Sequence, residues 1–232
     1  MGQKVFGENK VQEAKKKCGP LKSRYNKLEL HLIGALQTNK VKDAVSIFDV
    51  IETIDRPKLA VAIAKEMTKQ ATHLPCYIQV NTGEEKQKAG IYPSETGDFV
   101  DYCRNDLALN IVGLMCIPPA NDAPALHFSL LATIAERMNL ESLSMGMSND
   151  YETAIKLGAT HIRLGTALFG KRALLIIYYL IMFNKSPRFT KDSRLIRSKL
   201  FKATQPAVGS KLSRARCMNM ALPLPMIGGL SL

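Results

Sequence analysis

Short apolar runs recur along the chain, each closed by Gly, Asn, Ser or Thr, with longer amphipathic stretches between them. Seven runs read as strands, at residues 4–7, 30–33, 50–54, 76–80, 111–116, 142–147 and 162–164. Their near-continuous hydrophobicity predicts a parallel sheet covered on both faces by helices. Helical periodicity places those helices at residues 9–17, 38–46, 57–70, 94–103, 123–138 and 150–157. Start and stop signals agree: Thr38 or Asn39 and Ser148 or Asn149 as caps, Pro57 in a first turn, and Gly158 just past a last turn.

A βα series of this length closes into a (β/α)8 barrel or stays open as a doubly wound sheet. Two segments late in the chain decide between them: Ser144-Met-Gly-Met-Ser-Asn-Asp150 and His161-Ile-Arg-Leu-Gly-Thr-Ala-Leu-Phe-Gly170. Their small residues let backbone N–H groups approach an anion, Ser148 and Thr166 add hydroxyls, and Arg163 adds a permanent charge, so the pair reads as a cup for a phosphorylated cofactor. A barrel puts a phosphate site after its last strands, whereas an open sheet puts a glycine-rich turn after its first. The expected fold class is therefore an α/β TIM-type barrel.

Charge divides the chain in two. Residues 1–172 carry 22 Lys and Arg against 19 Asp and Glu, and residues 173–232 carry 10 against 1, so the net +12 splits into +3 and +9. The expected division is a barrel over residues 1–172, followed by an apolar segment and a disordered basic tail over residues 173–232. The apolar run at 173–183 is too short to span a bilayer and is expected to pack as a last helix on the outside. Five cysteines without a C-x-x-C pair, and an N-terminus without an apolar leader, indicate a reduced, cytoplasmic setting.

Other residues invite plainer readings. His31, His73, His127 and His161 are scattered without an evident acid partner, and structural or surface roles are expected for them. Lys86-Gln-Lys88-Ala-Gly90 fits a binding loop or a solvated turn equally well, and Gly7-Glu-Asn9 taken alone fits a strand-to-helix turn capped by Asn9.

Four stretches together, Val5-Phe-Gly-Glu-Asn-Lys-Val-Gln-Glu13, His31-Leu-Ile-Gly-Ala-Leu-Gln-Thr-Asn-Lys40, Gly113-Leu-Met-Cys-Ile-Pro118 and the late pair of segments, resemble the pyridoxal-phosphate homeostasis proteins of the YggS/PROSC type. The barrel of that family is similar to the alanine racemase N-terminal domain. The resemblance implies that pyridoxal 5'-phosphate is the cofactor. It further implies that Asn9 approaches the cofactor, that Met147, Ser148, Gly165 and Thr166 bind its phosphate, and that Arg163 faces the pyridine nitrogen. It implies a non-catalytic protein of vitamin B6 homeostasis whose partners include apo-enzymes that use the cofactor.

Relative to the family pattern, the chain is expected to begin at the second barrel strand, without the first strand and its Schiff-base lysine. Lys4, Lys10 and Lys40 are the nearest substitutes, but each belongs to a segment already assigned. Cofactor binding is then expected to be weakened and non-covalent, and the barrel to expose two unpaired parallel edges. Two alternatives remain: a fragment of a racemase-like enzyme, and a basic tail acting as an arm for nucleic acid or anionic lipid.

Overall fold

In a computed structural model of the chain, residues 3–169 and 216–220 are described. The seven expected strands all form: β1 (Val5–Glu8), β2 (Glu29–Leu32), β3 (Val50–Ile54), β4 (Cys76–Val80), β5 (Ile111–Cys116), β6 (Ser142–Met147) and β7 (His161–Leu164). Each pairs in parallel with the next in chain order, so every strand's C-terminal end lies at the same mouth. The barrel reading holds, and the sheet closes through an eighth strand.

That strand, β8 (Arg216–Met220), corrects the expectation of two open edges. It pairs in parallel with β7 over four positions, from His161↔Arg216 to Leu164↔Asn219, and with β1 at Phe6↔Asn219 and Gly7↔Met220. The physical cause is the cost of unpaired strand N–H and C=O groups on β1 and β7, which any extended segment with enough reach relieves. Residues 173–183 follow β7 too closely to make a parallel crossover, but the long connection from Leu164 to Arg216 permits one. Residues 216–220 lie inside the stretch expected to be a disordered basic tail, so that expectation fails for them; the helix expected at 173–183 and the remainder of the tail lie outside the described residues.

Helices α1 (Val11–Arg24), α2 (Val41–Ile47), α3 (Pro57–Lys69), α4 (Thr96–Asp101), α5 (Pro124–Arg137), α6 (Tyr151–Lys156) and α7 (Thr166–Phe169) alternate with the strands. A single large apolar cluster joins strands and helices, with Leu30, Ile51, Ile63, Leu114, Phe128 and Ile162 among its buried members. α1 runs past the expected end and carries Pro20 inside it. Thr38 and Asn39 form a short 3-10 turn rather than a cap for α2. Gly158, with φ +94°, follows α6 as expected: its own N–H donates to Ile155 O, and the next N–H, of Ala159, donates to Ala154 O. No described helix is long and apolar enough to cross a membrane.

Candidate functional site

The two late segments meet at the C-terminal mouth. β6 carries a register shift between Ser144 and Met147, and within it Gly146 takes φ +92°, a conformation that side chains disfavour. A Cβ on Gly146 would lie 2.5 Å from Ala154 Cβ. This kink turns the chain into the Met147-Ser148 loop. The Met147 N–H donates to Asp150 Oδ1 at 2.6 Å, and Asp150, rather than Ser148 or Asn149, stands at the N-cap position of α6, without a side-chain bond to the helix's own N–H groups. Ser148 Oγ instead accepts from the Ala167 N–H at 3.2 Å, which clasps this loop to the first turn of α7, just after Gly165 at the end of β7.

Arg163 stands in β7, opposite Met147 in the ladder, and is fully buried. Its guanidinium donates from one terminal nitrogen to Ser144 Oγ at 2.7 Å and from the other to Cys116 O at 2.8 Å. Burial disfavours its charge, and the Glu52 carboxylate opposes that loss. Asn9 follows β1 at the same mouth and is half-buried. The β2 loop rests against it: a Cβ on Gly34 would lie 2.2 Å from the Asn9 carbonyl oxygen. Thus Met147, Ser148, Arg163, Gly165 and Thr166 are brought together on adjacent strand ends, and Asn9 lies beyond β8 on the same rim.

Sequence reasoning missed an interior polar column. Ser144 Oγ donates to Glu52 Oε2 at 2.6 Å, although β6 and β3 are not neighbours in the ladder. Such a contact crosses the barrel interior. His31 Nδ1 bonds Glu52 Oε1 at 2.6 Å, and His31 Nε2 bonds Glu29 Oε1 at 3.0 Å. Burial lowers the His31 pKa, but these two carboxylates outweigh it and push it up to about 9. Burial raises Glu52, yet the hydrogen bond and charge of His31, with Arg163 and Ser144, hold it below the usual carboxylate range. His31 therefore has the acid partners that the sequence did not reveal. The available signal was Glu52, an acid in the middle of the otherwise uncharged strand Val50–Ile54. His161 is likewise structural, bonded to Thr160 Oγ1 at 2.8 Å and beside Tyr77 Oη at 3.4 Å.

Other chemistries find little support. Cys18, Cys76, Cys103 and Cys116 are free and buried, and burial pushes their thiols up, to about 11 for Cys18 and about 12 for Cys103 and Cys116. They do not form thiolates at neutral pH. Among the described residues no group of His, Cys, Asp and Glu could hold a metal ion. A groove of about 550 Å³ lined by Pro57, Ile91, Phe99 and Tyr102 contains none of the candidate residues.

Known proteins share this architecture. Residues 1–173 match the family model described as alanine racemase, N-terminal domain. The chain is 40% identical over 180 residues to the pyridoxal phosphate homeostasis protein of Aquifex aeolicus, covering 74% of this chain and 78% of that one. It also resembles the solved structures of PipY from Synechococcus elongatus. Without pyridoxal phosphate, PipY matches with a TM-score of 0.69 and 35% identity, covering 73% of this chain and 83% of that one. With pyridoxal phosphate bound, the values are 0.65, 32%, 73% and 82%.

Proposed function

The chain belongs to the alanine racemase N-terminal-domain family, on the branch of the pyridoxal phosphate homeostasis proteins, and from that premise we propose that it binds pyridoxal 5'-phosphate reversibly at the barrel mouth and is not an enzyme. The carrying observation is the clasp between Ser148 and the first turn of α7, at the strand ends next to an Arg163 fixed by Ser144 and Cys116 O.

The residues fit the group. Small residues and hydroxyls at Ser148, Gly165 and Thr166, with Met147 beside them, suit the phosphate, while Asn9 stands on the same rim beyond β8. Arg163 supplies donors towards the pyridine nitrogen. When bound, the cofactor offers an aldehyde and an electron-withdrawing ring. A guanidinium donates a hydrogen bond without releasing its proton, so Arg163 supports holding the ring rather than the electron withdrawal that a protonated ring provides. That favours storage and delivery to apo-enzymes over turnover.

Non-covalent binding is supported by where the lysines lie. Those with described side chains are exposed or half-buried. Lys4 precedes β1 at the end away from the mouth, and Lys10 is exposed and pairs with Glu13 at 3.3 Å. Titration of the full chain with pyridoxal phosphate, followed by absorbance, should give a saturable signal that inorganic phosphate competes away. Borohydride treatment followed by mass spectrometry should leave no single lysine modified, and α-proton exchange of alanine in heavy water should stay at the buffer rate. A flat titration of folded protein overturns the reading.

A further inference from the structure

The proposed role of Arg163 towards the cofactor is the foundation here, and the neighbours of Arg163 extend it. Ser144 bridges Arg163 and Glu52 through one hydroxyl, 2.7 Å from the guanidinium and 2.6 Å from the carboxylate. A guanidinium only donates, so the hydroxyl oxygen must accept from it, and the single hydroxyl hydrogen is then committed to Glu52. The bridge has one polarity, dictated at both ends. Glu52 in turn is held by His31 through its other oxygen, so the carboxylate has no rotational freedom. Cys116 O anchors the second terminal nitrogen of Arg163. Two anchors on separate nitrogens of a planar group fix its plane.

Packing alone would favour an apolar side chain at position 52, since a carboxylate at the centre of a fully buried strand costs desolvation. What the carboxylate supplies is direction. We propose that Glu52 is a positioning residue which, acting through Ser144, fixes the Arg163 guanidinium in the plane that meets the pyridine ring of the cofactor. Both Glu52 oxygens are taken up within the protein, one by Ser144 and one by His31. The effect of Glu52 on binding must therefore pass through Arg163.

A thermodynamic cycle in the dissociation constant of pyridoxal phosphate tests this on the full chain, using E52Q, R163Q and the double variant. With Arg163 present, E52Q should weaken binding by about tenfold; with R163Q in place it should change binding less than about twofold. A merely structural role for Glu52 would cost the same factor in both backgrounds, and that result overturns the proposal. S144A and S144T keep both charges and guard against a collapsed barrel. S144A should weaken binding comparably and S144T, which restores the hydroxyl, should recover it; S144A binding as the unsubstituted chain does would also overturn the proposal. If the unsubstituted chain shows no saturable binding, the functional reading falls and takes this inference with it, whereas saturable binding with equal losses overturns the inference alone.

Discussion

Arg163 and Glu52 are opposite charges buried in one interior, linked by a hydroxyl, and each makes the other tolerable. Arg163→Gln removes one of the two cations that face Glu52, leaving His31 as the other, and should cost about 1–3 kcal/mol of stability by chemical denaturation. His31 makes a pH prediction with a definite sign. Its folded pKa, about 9, lies above the ordinary 6.5, so its contribution is fully present below pH 6.5 and is lost as pH rises through 9. The groups facing it are Glu29, Glu52 and the His161 ring, 5.8 Å away between centroids. The melting temperature should therefore fall between pH 6.5 and 9, and His31→Gln should flatten that fall; an unchanged slope in the variant would count against the paired state. That Ser148, Arg163, Gly165 and Thr166 lie close together on adjacent strand ends was legible in the sequence, because glycine, hydroxyl and guanidinium stand within a few positions of one another. The Glu52 to Ser144 contact was not, because its partners are far apart along the chain and meet only when the sheet curls round.

At the level of single elements, apolar runs gave all seven strands between residues 5 and 164, each with most of its residues buried, and local signals gave the helices. Caps were less legible, since Ser148 as a cap and Ser148 as a clasp have the same sequence signature. Only the kink at Gly146, which sets where the loop exits β6, separates the two. Gly146→Ala places a side chain at φ +92° and against Ala154, and should destabilise the protein by about 1–3 kcal/mol. Because the kink aims the clasp, the same variant should weaken pyridoxal phosphate binding more than Gly158→Ala, where an added Cβ meets nothing within 4 Å. Equal binding by the two variants would separate the kink from the site.

For the whole molecule, the eighth strand could not be read from periodicity, because a five-residue segment with one charge carries no pattern of its own and is selected by the gap it fills. Met218→Pro removes a backbone N–H from a strand paired on both sides, with β7 and β1, and should lower stability by about 1–3 kcal/mol. Amide exchange should then speed up on β1 and β7, the two neighbours of β8, while Ile51 and Leu114 on the far side stay protected; uniform protection would argue that the seam is not closed by this segment. The same seam sets a timetable for biosynthesis. A cylinder whose final stave comes from residues 216–220 cannot be completed while those residues are still inside the ribosome, so β1 and β7 wait with one edge each unpaired until that segment has emerged.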